Sequence, residues 1–171
     1  RLVEQELLAV RPTGRFPGER DLAFRHALLR EGAYATLTDA DRRLAHRRAA
    51  HWLERHGESD PMVLAAHLER GGDGVRAATQ YLRAAQQAFH IRDLEATMAR
   101  ADLGLALAPP RELRLALLGM RCDVAANFMQ RIGDVMPDAE EVLRDATPGS
   151  VPWAQATVAY SFTTETGSRW T

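Results

Sequence analysis

The chain has 171 residues, a net charge of −1 and 46% hydrophobic residues, a composition typical of one globular domain or of a domain with a fragment of another. The near-zero charge gives no indication of a nucleic-acid partner, and no apolar run approaches the ~18–20 residues that span a bilayer. The single cysteine, Cys122, excludes an internal disulfide framework and is typical of the reducing cytoplasm, where we expect the protein to reside, with no membrane partner.

The first 25 residues combine three different patterns. Residues 2–10 have helical periodicity and predict a helix. Residues 11–20 contain two prolines and two glycines, which predict an irregular loop, and residues 22–24 predict a short strand. This order resembles the end of a winged-helix domain, with the loop as its wing, whereas an ordinary surface loop is the alternative.

From His26 onward the pattern predicts helices almost without interruption. Thr38-x-x-Asp41 resembles a capping box at a helix start, and Pro61 suits a first helical turn. The predicted helices cover residues 26–37, 38–56, 62–70, 75–90, 94–108, 112–131, 138–145 and 152–163. The fold class expected is therefore all-α, a right-handed array of helical hairpins over residues 26–144.

One segment of this array, residues 78–109, resembles a tetratricopeptide repeat, a helix-turn-helix unit of about 34 residues. Tyr81 and Ala85 would lie on the buried face of its first helix, Arg92 replaces the turn glycine, and Pro109 takes the terminal proline position. Because one such hairpin cannot bury its apolar face alone, we expect hairpins to stack. The predicted core comprises Leu28, Tyr34, Leu37, Leu44, Trp52, Leu53, Leu64, Leu68, Tyr81, Ala85, Leu103 and Leu117.

Several runs of sequence in the first half of the chain resemble bacterial signal-transduction ATPases of the STAND type. They are RFPGE (15–19), FRHALLREGAYATL (24–37), HRRAAHWLE (46–54), LAAHLERGGD (64–73) and YLRAAQQA (81–88). In that family such runs follow the ATPase module, in proteins that often carry a serine/threonine kinase or nucleotide cyclase at the N-terminus and tetratricopeptide repeats at the C-terminus. The chain begins with Arg1 rather than Met and ends without a helix stop signal, so we expect a piece of a longer protein.

The resemblance implies two regions and a role for the chain. Residues 1–25 would be the end of a winged-helix domain and residues 26–171 a truncated tetratricopeptide-like region. The implied function is a non-catalytic regulatory and protein-interaction segment, whose partners are other proteins and the ATPase domain of the same parent chain. Related architectures also precede LuxR-type DNA-binding domains, so the alternative is a scaffold segment of such a transcription regulator.

The resemblance also singles out His26 as a candidate nucleotide-sensing residue. In related STAND ATPases a winged-helix histidine contacts the phosphate of bound ADP and holds the protein closed. His26 has the equivalent position after the strand, although Ala27 stands where that family has an aspartate. The alternative is that His26 only caps or packs the start of the helix.

The residues indicate no catalytic site, no metal site and no cofactor. The five-residue spacing of His46, His51 and His56 turns each about 140° from the last on a helix, so they do not share a face. We interpret His46 and His67 as partly buried packing residues that bond to neighbouring polar groups. The acidic pairs at 39/41 and 140/141 are interpreted as exposed charges near helix starts, and the arginine pairs at 42/43 and 47/48 as a solvated face.

Overall fold

The computed structural model describes residues 6–11, 14–127 and 133–167, of which residues 163–167 are described by their backbone alone. This part of the chain forms a two-stranded sheet followed by eight helices, so the expected all-α array of helical hairpins is confirmed. The strands are β1 (Leu8–Val10) and β2 (Leu22–Phe24). The helices are α1 (Ala27–Ala35), α2 (Asp39–Arg55), α3 (Pro61–Arg70), α4 (Gly74–His90), α5 (Leu94–Ala106), α6 (Arg111–Asn127), α7 (Met136–Asp145) and α8 (Val151–Gly167).

The N-terminal end is a β-hairpin. The strand predicted at 22–24 is confirmed and pairs antiparallel with β1, so that Leu8 lies opposite Phe24 and Val10 opposite Leu22. The helix predicted at 2–10 is wrong for residues 8–10, and residues 2–5 of that prediction lie outside the described residues. Residues 7–10 are four consecutive apolar residues, a pattern that fits a helix or a strand. Residues 8–10 form a strand because β2, distant in sequence, offers β1 a hydrogen-bonding partner.

Side-chain caps define where most of the central helices begin. The Thr38 hydroxyl accepts a hydrogen bond from the Asp41 amide at 3.2 Å and donates one to the Asp41 carboxylate at 2.7 Å, which confirms the predicted capping motif. The carboxylates of Asp73 and Asp93 cap α4 and α5 by accepting from the amides of Arg76 and Ala96. Each cap satisfies an amide that a helix start leaves without a partner.

The turns before α4 and α5 are built alike. Gly72 and Arg92 both have positive φ, 83° and 60°, and each directly precedes the capping aspartate of the next helix. The amides of Asp73 and Asp93 each donate a hydrogen bond to the carbonyl five residues earlier, at 2.9 Å in both turns. A left-handed residue suits glycine best, so Arg92 adopts a less favourable backbone conformation because the turn requires it.

The helices from α2 onward pack each on its successor, and α4 also contacts α6, as α6 contacts α8. The hairpins α4/α5 and α6/α7 are thereby stacked, with α4, α6 and α8 adjacent. Gly104 of α5 lies where a Cβ atom would come within 2.9 Å of both methyl groups of Leu117. A larger residue there would force the buried Leu117 side chain, or α5 itself, to shift. No helix of the described residues is long and apolar enough to cross a membrane.

The core occupies the stacked hairpins and leaves the N-terminal end uncovered. Of the predicted core, Leu64, Leu68, Tyr81, Ala85 and Leu117 are buried and Leu53 is partly buried. The prediction is wrong for the residues that the structure leaves exposed, namely Leu28, Tyr34, Leu37, Leu44, Trp52 and Leu103. Their apolar spacing is helical, but the described residues cover these side chains only in part; Leu28 is 81% exposed.

Replacing Leu117 by Ala should lower the free energy of unfolding by ~2–5 kcal/mol, because the side chain is fully buried against Ala101 and Met120 and would leave a cavity. Leu103→Ala on the neighbouring helix is the matched control and should cost less than about 1 kcal/mol, since that side chain is 43% exposed. Urea unfolding followed by far-UV circular dichroism measures both. Equal losses for the two variants would contradict this account of the core.

Candidate functional site

His26 lies between the hairpin and the first helix. Strand β2 delivers it to the N-cap position of α1, where its backbone is extended at φ −126° and ψ 133°. The residue is exposed, and its side chain makes no capping hydrogen bond. Its side chain therefore does not cap α1, while the nucleotide-sensing role of His26 stays a prediction. An exposed imidazole beside the open amides of a helix start can donate hydrogen bonds to an anion.

Exposed apolar side chains lie on both elements that flank His26. Leu22 and Phe24 lie on one face of the hairpin with Val10, since residues two apart on a strand share a face and Val10 is paired with Leu22. Leu28 and Leu29 follow His26 on α1, and all five side chains are exposed. We call these five residues the N-terminal apolar face. Exposed apolar side chains on both neighbouring elements make this end of the molecule a candidate interaction site.

The loop between the strands is fastened to the C-terminal end of α2 by aromatic rings. The Phe16 ring meets the Trp52 ring edge-on, with 5.0 Å between centroids. Trp52 also stacks on the His56 ring, with 4.0 Å between centroids, and the His56 Nδ1 donates to the Trp52 carbonyl at 2.8 Å. Trp52 thus attaches the loop to α2 and is not part of the buried core.

Ionic contacts complete this attachment. The Arg15 guanidinium donates to Oε1 of Glu58 at 2.7 Å, and the Asp60 amide donates to the same oxygen at 3.0 Å. The Glu58 side chain is only 2% exposed, so it is a nearly buried carboxylate whose charge Arg15 balances. Glu19 lies 3.5 Å from His56 and pairs with it when that imidazole is protonated. We call Arg15, Phe16 and Glu19, with Trp52, His56 and Glu58, the loop clasp.

Removing Arg15 should destabilise the clasp because a nearly buried Glu58 carboxylate would lose its countercharge. We expect Arg15→Ala to cost about 1–2 kcal/mol, a value reduced for the partial exposure of the arginine, and Arg15→Ala with Glu58→Gln to cost less than the sum of the single changes. Chemical unfolding of the four proteins measures the coupling. Arg20→Ala, in the same loop and exposed, is the control; strictly additive effects would contradict the clasp.

Three polar side chains connect α1, α2 and α3. The Tyr34 hydroxyl is 3.0 Å from Nε2 of His46, and Nδ1 of His46 is 3.1 Å from Nδ1 of His67. The interpretation of His46 and His67 as packing residues bonded to polar neighbours is thus confirmed. Burial lowers the pKa of both imidazoles, and Arg70 lowers them further by repulsion. Sequence reasoning missed that the two histidines bond to each other, because their separation of 21 residues carries no periodic signal.

The other histidines do not join this group. His51 and His90 are exposed, and Nδ1 of His90 bonds to the Gln86 carbonyl at 2.7 Å. Among the residues that the structure describes, no three His, Cys, Asp or Glu side chains are placed to hold a metal ion.

Two arginines of α6 pair with carboxylates on the neighbouring helices. Arg114 makes a bidentate contact with Glu141 at 2.6 and 2.8 Å, and this lowers the pKa of Glu141. The interpretation of Glu141 as an exposed acid is therefore wrong, because α6 packs Arg114 against it. Arg121 contacts both Asp138 and Asp102. These pairs hold α5, α6 and α7 together, which is a structural use.

Arg42 also departs from the solvated face expected for the arginine pairs. Its guanidinium donates to the carbonyls of Tyr34 and Ala35 at 3.3 and 3.2 Å, at the C-terminal end of α1. A cation there satisfies carbonyls that the helix end leaves open and complements the helix dipole. Arg43, Arg47 and Arg48 are exposed as expected.

Cys122 is fully buried among the side chains of α6, α7 and α8, and burial raises the pKa of its thiol to about 12. We expect no reaction with a disulfide reagent at pH 8 in the folded protein, because nucleophilic thiolate and access are both missing. Unfolding in urea should expose the thiol and let it react within minutes. Absorbance of the released thiolate measures the reaction, and rapid labelling of the native protein would contradict the placement of Cys122.

Comparison with protein-family models, with curated proteins and with solved structures finds no match. Proposals about function therefore depend on the geometry described above and on the motifs of the sequence.

Proposed function

We propose that the chain is a non-catalytic regulatory and protein-interaction segment of a multidomain, cytoplasmic signalling ATPase of the bacterial STAND type. In this proposal residues 1–25 end a winged-helix domain and residues 26–171 begin a tetratricopeptide-like array. The hairpin and its loop support the first part, since a strand-loop-strand unit is what the end of a winged helix supplies. Neither nucleic acid nor membrane is among the proposed partners.

The observation that carries this proposal is the contrast between the two ends of the molecule. From α3 onward, buried alanines and leucines form continuous clusters. At the N-terminal apolar face, by contrast, α1 has no buried residue at all. A helix with an apolar stripe needs a partner to cover it, and the proposed occupant is the remainder of the winged-helix and ATPase domains of the parent chain.

The stacked hairpins supply the second half of the proposed role. Such arrays present long surfaces to protein partners because each hairpin contacts only its neighbours and the stack remains open at its sides. Here the loop clasp joins the hairpin directly to α2, the first long helix of the stack. A change in the position of the ATPase domain would therefore be passed to the array through these contacts.

His26 is the proposed nucleotide sensor. Its imidazole is exposed, is not engaged as a cap, and is flanked by Leu28 and Phe24 of the apolar face. When the ATPase domain covers that face, the imidazole would lie inside the interface, where it can donate to the phosphate of bound ADP. This contact would be made only in the closed state.

The test is His26→Ala in the full-length protein. A charge-assisted hydrogen bond contributes ~1.5–3 kcal/mol, so its loss from the closed state should raise the open population and the rate of ADP release about ten- to a hundredfold. Release of a fluorescent ADP analogue measures this. The matched control is His90→Ala, which removes an exposed histidine on α4, remote in sequence from the N-terminal apolar face, and should leave release unchanged.

Two outcomes would contradict the proposal. Unaltered ADP release in His26→Ala, with a fragment whose melting temperature falls, would make His26 a packing residue. The absence of a nucleotide-binding motif in the coding sequence upstream of Arg1 would remove the ATPase itself.

A further inference from the structure

Helix α1 is attached to the rest of the molecule mainly at its C-terminal end. It has no buried residue, so apolar burial contributes little to holding it. Two side chains of α2 contact α1 at that end. The Arg42 guanidinium donates to the carbonyls of Tyr34 and Ala35 and lies 5.0 Å from the centroid of the Tyr34 ring. The His46 imidazole bonds to the Tyr34 hydroxyl. The position of α1 therefore depends on a few polar contacts.

His46 is itself held from the other side by His67 of α3. A hydrogen bond between two Nδ1 atoms needs a proton on one nitrogen and a lone pair on the other. The contact at 3.1 Å is therefore compatible with two neutral imidazoles or with one protonated and one neutral. It is incompatible with two imidazolium ions, since both nitrogens would then be donors and both rings would be cations.

The charged groups described near the pair are three arginines and the carboxylate of Glu69. Arg70 on α3 repels a proton from both rings. Arg42 lies against Tyr34, and the aliphatic part of Arg47 lies at Gly71, just beyond α3. On the α4 side Tyr81 donates to Glu69, so that carboxylate is already engaged. Within the described part of the chain neither His46 nor His67 forms an ion pair with a carboxylate.

We propose that Tyr34, His46 and His67 form a proton-operated clamp, which holds α1 against α2 and α3 near neutral pH and releases it when both imidazoles are protonated. In the released state the His46 ring turns away from His67, and Tyr34 loses its fixed partner. The clamp acts on α1 alone, because the stacked hairpins from α3 onward keep their own core. This inference does not depend on the proposed function.

The pH range of release follows from linkage. When the His46 ring turns away from His67 on release, it escapes the repulsion of that neighbouring ring, so the pKa of His46 is lower in the clamp than after release. The released state therefore binds more protons, and the clamped state becomes more favourable as pH rises. Its stabilisation is complete above about pH 7 and is lost as pH falls below 6.5 toward the lowered values.

The test is amide hydrogen exchange in the 171-residue chain between pH 7.5 and 5, corrected for the intrinsic pH dependence of exchange. Protection of α1 amides should fall about three- to tenfold, the range expected for loss of one net hydrogen bond. The amides of α4 are the internal reference and should keep their protection. A parallel fall in α4 would show global unfolding and would overturn the proposal, as would α1 protection that does not change with pH.

The matched variants are His67→Asn and His51→Asn. Asparagine can offer a donor or acceptor near the position of Nδ1 but does not titrate, so α1 protection in His67→Asn should be independent of pH. His51 is exposed on α2, and His51→Asn should keep the normal response. A pH response that survives His67→Asn would overturn the clamp. So would a response abolished by a metal chelator, because the histidine pair would then be a metal site.

Discussion

The close approach of helices around α4 is the constraint on which the array depends. Five alanines of α4, at positions 77, 78, 84, 85 and 88, are fully buried, and they let α3, α5 and α6 lie against the α4 backbone with little side-chain volume between. Dispersion attraction grows steeply as such surfaces come together, so small residues give dense packing. The larger side chains then fill the spaces beside them, as Tyr81 does when its hydroxyl reaches Glu69 at 2.6 Å.

That packing also explains why the two halves of the molecule differ. Along α4 to α8 the apolar stripe of each helix meets another helix of the same chain, and caps such as Asp73 and Asp93 set the helix starts. In α1 and α2 the stripe meets few described partners, and polar contacts replace it: Arg15 with Glu58, Arg42 with the end of α1, and His46 with His67. The same helical spacing of apolar residues is therefore buried in α4 to α8 and largely exposed in α1 and α2.

This difference decides what could be predicted from the sequence. Helix starts and most helix lengths follow from local signals such as Thr38, Pro61 and Asp93, and these predictions agree with the structure. Strand β1 could not be predicted from its own residues, because its partner is β2. The burial of Trp52 was wrongly predicted for a related reason: helical spacing identifies an apolar face but does not say whether anything covers it.

The candidate site was predictable only in part. The position of His26 after a strand and before a helix is a local property of the sequence, and it was found. The loop clasp and the pairing of His46 with His67 join residues 21 to 43 positions apart, which the attachment of the loop to α2 and the packing of α2 against α3 bring together. Whether the N-terminal apolar face is exposed depends on which other residues pack against it, and the sequence of the face itself does not specify those residues.

The polar character of the N-terminal attachment has a thermodynamic consequence. Change in heat capacity scales with the apolar surface that a transition exposes, and detaching the hairpin and α1 would expose little beyond the contact of Phe16 with Trp52. The balance between attached and detached arrangements should therefore vary only weakly with temperature, unlike the stability of the array. Ionic strength acts in the opposite way, since screening weakens the partly exposed Arg15 pair while leaving alanine packing unaffected. A cell's salt content, more than its temperature, would set how firmly the two ends of this molecule are joined.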